Sequence, residues 1–119
     1  MQKPNESNLV QYYVVNRDLQ MSDGKIAAQV AHAAVTVTLH CLFQQEQNHD
    51  TFQAWLSSGQ KKIVLGGSEE QVNELANAGY LSIRDAGHTE VPSGSLTVVA
   101  LPPMEKEEAQ RIVSGLKLL

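Results

Sequence analysis

The order of apolar and polar positions along the chain predicts an alternation of strands and helices. The short β-branched and aromatic run at 9–16 is typical of a mostly buried first strand. A long helix is predicted over about 23–44, with Ser22 placed to cap its first turn. The later elements are a short helix (51–58), a second buried strand (62–65), a helix (68–78), a third strand (80–84), a fourth strand (96–101) and a last helix (104–114).

This order of elements predicts the fold class. A strand, a long helix and a second strand in succession favour a parallel crossover, and Gly66-Gly67 is expected to turn the chain after it. The third and fourth strands have no helix between them, which makes the sheet mixed. We therefore expect an α/β fold, a three-layer single domain that has a mixed sheet of about four strands and helices on both faces. The domain is expected over 9–119, after a polar, disordered N-terminal lead at 1–8.

The long helix carries one narrow polar stripe on an otherwise apolar surface. Lys25, Gln29, His32 and Thr36 follow one another at i, i+4, i+7 and i+11, which places them on one side of a helix. The other positions are almost all apolar, so we expect burial on nearly all remaining sides and a homodimer that covers surplus apolar surface. Because Lys25 is expected on the exposed stripe, Lys25→Ala should change the stability by less than about 1 kcal/mol.

Composition and charge narrow the functional classes. The 119 residues contain a single cysteine, Cys41, which excludes an internal disulfide and favours a reducing, cytoplasmic location. No apolar run approaches the roughly 18 residues of a membrane span, so no membrane association is expected. The net charge of −4 is unusual for a dedicated nucleic-acid-binding protein, so any such binding requires a local basic patch.

Two places along the chain carry candidate chemistry. Gly24 and Lys25 open a helix, where free backbone N–H groups and a lysine charge favour an anion, although a plain surface lysine fits as well. Asp85 follows a strand and precedes a glycine-containing loop, which is typical of a ligand cleft but also of an Asx turn. Thr89 and Thr97 add hydroxyl groups on either side of that loop.

Other kinds of site find no support in the pattern. His40, Cys41 and His49 lack the spacing of metal ligands, and no serine or cysteine lies in a nucleophile motif. If the protein is a hydrolase, water is therefore the expected nucleophile. The start of the long helix is not a P-loop, but a site for a small phosphate compound there stays open.

Four blocks of the sequence include the runs GKIAAQVAHA (24–33), QKKIVL (60–65), DAG (85–87) and GLKL (115–118). In order and spacing, these blocks resemble the second (archaeal/eukaryotic-type) family of peptidyl-tRNA hydrolases. The similarity extends over essentially all of the chain after residue 8. The family resemblance implies hydrolysis of the ester between a peptide and the 3′ ribose of tRNA, with no metal or organic cofactor and usually in a homodimer.

The resemblance also implies a set of site residues. Lys25 would stabilise the oxyanion, and Asp85 would either accept a proton from the attacking water or hold Lys25 in place. A non-catalytic tRNA- or peptide-binding module with the same fold is the alternative. The implied catalytic residues are Lys25, Asp85, Thr89 and Thr97, and the implied substrate-binding residues are Arg17, Gln29, His32, Lys61 and His88.

The chain departs from the family pattern in three places. The helix at 68–78 is about two turns shorter than usual, and Ala100-Leu101-Pro102 replaces a glycine-rich turn. His88 stands where the family has arginine or lysine. Because histidine is mostly uncharged at neutral pH, this change is expected to weaken the grip on tRNA.

Overall fold

The computed structural model describes residues 8–43, 49–87 and 90–119 of the chain. Within these ranges the fold is α/β, as predicted, and the predicted elements are present with small changes at their ends. The domain boundary expected at residue 9 stays a prediction, because residues 1–7 lie outside the described ranges. The elements are β1 (Leu9–Asn16), α1 (Asp23–Phe43), α2 (His49–Ser57), β2 (Lys62–Gly67), α3 (Glu69–Asn77), β3 (Leu81–Arg84), β4 (Leu96–Ala100), β5 (Met104–Glu105), α4 (Lys106–Ile112) and β6 (Lys117–Leu118).

The sheet is mixed and has the order β3-β4-β1-β2-β6, while β5 adds to β1. Strands β1 and β2 are parallel, and β4 is antiparallel to both β1 and β3. The described residues form six strands rather than about four, because β5 and β6 each contain only two residues. Such short strands have no alternation that a sequence pattern can show. Because β5 contains Met104 and Glu105, the last helix begins at Lys106 instead of Met104.

Successive side chains of β1 point to opposite faces of the sheet and anchor two cores. Val10, Tyr12 and Val14 pack in the core under α3 and α4. Tyr13 and Val15 pack in the core under α1. The helices therefore cover both faces, which confirms the three-layer arrangement. A smaller cluster of buried apolar side chains, Leu9, Phe52 and Trp55, forms where α2 packs against the start of β1.

A polar pair is buried inside the core under α1. The Tyr13 hydroxyl donates to Gln11 Oε1 over 2.5 Å, and Gln11 Nε2 donates to the Leu101 carbonyl over 3.1 Å. Both side chains are at most 1% exposed. Burial disfavours the phenolate and raises the pKa of Tyr13 from 10.0 to about 12.

The expectation that α1 is buried on nearly all sides is wrong. Its buried residues are Gln29, Ala33 and Val37, whereas Val35 is 60% exposed and Phe43 79% exposed. One sheet can cover only one side of a helix, and α2 packs near Cys41 in the last turn of α1. By length and apolar composition α1 is, within the described ranges, the one helix that could cross a membrane, a test that core helices of soluble proteins also pass.

Gly66 and Gly67 extend β2 instead of turning the chain, which corrects a second expectation. The Arg17 side chain lies directly over Gly66, so a Cβ at that position would approach Arg17 Nε to 1.9 Å. Arg17 Nη2 donates to the Leu118 carbonyl over 2.7 Å. The glycine therefore lets Arg17 cross the sheet and hold the C-terminal strand β6 beside β2.

Candidate active site

A buried ion pair joins the first turn of α1 to the end of β3. Lys25 Nζ lies 2.5 Å from Asp85 Oδ1, and the two side chains are only 10% and 5% exposed. Alternation along β3 turns Leu81 and Ile83 toward α1, and Asp85 continues that face just beyond the strand. The fold thus brings together two charged residues that are 60 positions apart in the chain.

The second carboxylate oxygen of Asp85 organises the loop that follows β3. Asp85 Oδ2 accepts from the backbone N–H of Gly87 over 2.6 Å, which forms the Asx turn considered from the sequence. Gly87 has φ +80°, and a Cβ there would lie 2.6 Å from Ser93 Cβ, so the turn requires glycine. Asp85 therefore serves the turn and the ion pair at once.

A carboxylate from the same loop occupies the start of α1. Glu90 Oε1 accepts from the Ser22 hydroxyl over 2.6 Å, and Glu90 Oε2 accepts from the Ser22 backbone N–H over 2.8 Å. The hydrogen bond from the Ser22 hydroxyl lowers the pKa of Glu90 most, and the bond from the Ser22 backbone N–H lowers it further. Ser22 caps the helix, since its Oγ accepts from the Lys25 N–H over 3.3 Å. A carboxylate of the chain itself thus lies at the start of α1, and its negative charge speaks against the phosphate-compound site.

Thr97 and Gln29 form a second buried contact, one helical turn beyond Lys25. The Thr97 hydroxyl lies 2.6 Å from Gln29 Oε1 and 3.1 Å from the carbonyl oxygen of Ile83. Gln29 is 8% exposed and Thr97 is fully buried. The first half of the polar stripe predicted for α1 is therefore not a solvent face, because Lys25 and Gln29 both turn inward toward the sheet.

A β-bulge explains why Thr97 faces α1. Ile83 pairs with Val98 and Arg84 pairs with Leu96, so Thr97 is an extra residue on β4. Val98 belongs to the core under α1 and Leu96 to the core under α3 and α4. Regular alternation from Val98 would direct Thr97 away from α1, whereas the bulge directs both residues toward it.

The structure thus brings together Lys25, Asp85, Gln29 and Thr97 among the residues expected from the sequence. His32 lies three residues beyond Gln29 on the same side of α1 and is exposed. His88 and Thr89 lie outside the described residues, in the loop between Asp85 and Glu90. Glu90 was not expected from the sequence, because the 68 positions between it and Ser22 leave no local signal.

Two expected substrate-binding residues lie apart from this cluster. Arg17 lies at the carboxyl end of β1, where its guanidinium is directed to Leu118. Lys61 precedes β2 at the opposite end of the sheet, and its carbonyl accepts from the Gln11 N–H and from Trp55 Nε1. Five residues of extended strand, about 17 Å, separate the two ends.

The cluster has the properties of an electrostatic catalyst. It offers a fixed ammonium and a side-chain amide in a largely dehydrated setting, where charges act more strongly than in water. Cys41 lies about 24 Å away along the helix axis, in the last turn of α1. Among the described residues, no three His, Cys, Asp or Glu side chains converge as metal ligands do.

Comparisons with known proteins identify the family. The family model described as "Peptidyl-tRNA hydrolase PTH2" matches residues 9–119. A protein named peptidyl-tRNA hydrolase from Thermococcus onnurineus is 40% identical over 116 residues, which cover 92% of this chain and 96% of the relative. A protein of the same name from Thermoplasma acidophilum is 38% identical over 112 residues, 88% of this chain and 93% of the relative. The chain therefore belongs to the PTH2 family of peptidyl-tRNA hydrolases.

Proposed function

We propose that this protein hydrolyses the ester between a peptide and the 3′ ribose of tRNA, with Lys25 stabilising the oxyanion and water as the nucleophile. Membership of the family supports the reaction. The observation that carries the assignment of the site is the ion pair of Lys25 with Asp85, since the side chains are only 10% and 5% exposed. Translation-linked recycling of tRNA makes the cytoplasm the proposed location.

The ammonium of Lys25 is suited to a developing negative charge. It has three N–H donors, of which the bond to Asp85 uses one. The remaining donors are held at one place by the ion pair and by the first turn of α1. A donor fixed before the reaction begins stabilises the transition state without further reorganisation.

For Asp85 we propose that the main role is to orient Lys25. Oδ1 contacts the ammonium and Oδ2 accepts from Gly87, so both carboxylate oxygens are engaged. A general base would instead need an oxygen directed at the attacking water. The rate constant kcat of an Asp85→Asn variant, measured against pH, separates the roles. Orientation predicts a lower rate with the same pH profile, and loss of the acid limb would indicate a base.

Water is the proposed nucleophile because the nearby side chains are unsuited. The Ser22 hydroxyl donates to Glu90 and accepts from the Lys25 N–H, so it is held as a helix cap. Cys41 is at the far end of α1. The catalytic role that the resemblance implies for Thr89 stays a prediction, because Thr89 lies outside the described residues.

Binding of the tRNA backbone is proposed to involve the exposed cations at the site edge of the sheet. Arg17 and Lys117 lie beside Gly66, and Arg84 ends β3, immediately before Asp85. Lys61, at the other end of β2, can contact only a ligand as extended as a tRNA. The phosphate contacts make the affinity dependent on salt despite the net charge of −4. Roles for His32 and His88 in binding stay predictions.

We further propose a homodimer that covers the exposed apolar stripe of α1. Val35, Leu39 and Leu42 lie on one side of the helix and are 60%, 47% and 41% exposed. Sedimentation at micromolar concentration should show a dimer that Val35→Glu dissociates. Gln53→Glu, an exposed position of α2, serves as the control and should leave the dimer intact. A wild-type monomer at that concentration would contradict the proposal.

Hydrolysis of an N-blocked aminoacyl-tRNA by the purified protein tests the function directly. The released amino acid is measured with an excess of substrate, against the spontaneous rate and against Lys25→Ala. We expect multiple turnover by the wild type. Binding of the tRNA without release above the spontaneous rate would instead identify a non-catalytic tRNA-binding module.

A further inference from the structure

We propose that Thr97 is a positioning residue, and that the side-chain amide of Gln29, which Thr97 holds, is a second donor to the oxyanion beside Lys25. The inference rests on the proposed ester hydrolysis. It assigns different roles to two residues of the same cluster, because only one of them can reach a substrate.

Burial excludes Thr97 from direct contact with the substrate. Its exposed fraction is 0%, since it lies between β3 and α1. Its hydroxyl has one proton and two neighbouring acceptors, Gln29 Oε1 at 2.6 Å and the Ile83 carbonyl at 3.1 Å. The shorter contact has the usual length of an O–H···O bond, so the proton is donated to Gln29.

The bulge on β4 gives this contact its geometry. Thr97 is the unpaired residue between the pairs Ile83–Val98 and Arg84–Leu96, and only this irregularity directs its side chain at α1. Bulges frequently re-aim a side chain next to a functional site. Here the bulge directs the Thr97 hydroxyl at the amide oxygen of Gln29.

Once its oxygen is held by Thr97, the Gln29 amide has its nitrogen free to donate. The nitrogen has no hydrogen-bond partner among the described residues. Within the described part of the chain, His49 Nδ1 is the only buried side-chain nitrogen or oxygen without a hydrogen-bond partner. The Gln29 nitrogen has no partner and is not in that class, so solvent reaches it. Lys25 and Gln29 are four residues apart on α1, so their Cβ atoms lie about 5–6 Å from each other. Two donors, one charged and one neutral, thus lie one helical turn apart on the side of α1 that faces β3 and β4.

Removing the hydroxyl should disorient the amide without removing it. In Thr97→Val the amide can rotate and present its oxygen, which repels an oxyanion. Loss of one oxyanion donor lowers kcat roughly 10²–10³-fold, and we expect a loss of that size with KM changed less than about threefold. Thr97→Ser keeps the hydroxyl and should recover most of kcat, which a role of the Thr97 methyl group in packing would not allow.

A double-mutant cycle with Gln29→Met tests whether Thr97 acts through Gln29. We expect Thr97→Val to lower kcat in the wild-type background and to have almost no effect in the Gln29→Met background. An equal loss in both backgrounds would overturn the proposal and indicate direct contact of Thr97 with the substrate.

A measurement on the free protein makes the test independent of turnover. The side-chain NH₂ signal of Gln29 in NMR spectra should report a rigid amide in the wild type and in Thr97→Ser, and a mobile one in Thr97→Val. Equal mobility in all three proteins overturns the positioning role. If the wild type is inactive but its Gln29 amide is more rigid than that of Thr97→Val, the ester hydrolysis is contradicted. The positioning of Gln29 by Thr97 is then still supported.

Discussion

Replacement of Lys25 by alanine should destabilise the protein as well as inactivate it. The change leaves the Asp85 carboxylate, 5% exposed, without its cation. Breaking a buried ion pair by removing one partner typically costs about 3–5 kcal/mol. Asp85 keeps its bond from Gly87, and Lys25 has some contact with solvent, so the lower end of that range applies.

Two smaller effects partly offset this loss. A lysine in the first turn opposes the helix dipole, and its removal gains about 0.5 kcal/mol. Alanine adds about 0.3 kcal/mol of helix propensity. The net destabilisation is then about 2 kcal/mol, or about 8 °C in Tm for a domain of this size. This replaces the expectation of less than about 1 kcal/mol, which assumed that Lys25 lies on an exposed stripe.

The assay combines thermal unfolding with turnover of N-blocked aminoacyl-tRNA. Turnover is measured well below the Tm of the wild type and of the Lys25→Ala variant. Lys106→Ala is the matched control, because Lys106 also begins a helix but, among the described residues, makes no ion pair. It should change Tm by less than about 2 °C. Adding Asp85→Asn to Lys25→Ala removes the carboxylate charge that Lys25 neutralised and should restore about half of the lost stability. In Lys25→Ala, kcat should fall about 10²–10³-fold. A Tm equal to that of the wild type would refute the buried ion pair, and an unchanged kcat would remove Lys25 from the chemistry.

Three further predictions concern the fold and the substrate. Gly66→Ala displaces Arg17 and should speed amide exchange at Leu119, whose N–H donates to Val64, while Gly24→Ala, with open space around it, should not. Tyr13 keeps its proton in the native state up to a pKa of about 12, so stability present below pH 10 should fall by about 1.4 kcal/mol per pH unit between pH 10 and 12. Tyr13→Phe should abolish that slope in denaturant titrations, Tyr80→Phe should keep it, and an equal slope in all three proteins would contradict the assignment. Three phosphate contacts, by Arg17, Arg84 and Lys117, predict that tRNA affinity falls about twenty- to fortyfold from 50 to 200 mM salt, and a flat response would contradict them. Arg84→Ala should make the dependence shallower.

The sequence by itself determined most of the regular elements and the family. The apolar run of β1, the periodicity of α1 and the capping serine before α3 are local signals, because they depend on residues within a few positions of one another. The motif around Gly24-Lys25 and the DAG block at 85–87 also pointed to the reaction and to both members of the ion pair.

Tertiary structure decided which side chains meet and how much of each is exposed. The pairs Lys25–Asp85, Ser22–Glu90 and Gln29–Thr97 join residues 60 to 68 positions apart, so no local pattern contains them. The direction of Thr97 depends on a bulge that exists only once β3 and β4 are paired. The exposed face of α1 could not be read from its composition either. An apolar helix surface is compatible with burial or with an interface, and the extent of the neighbouring sheet selects between them.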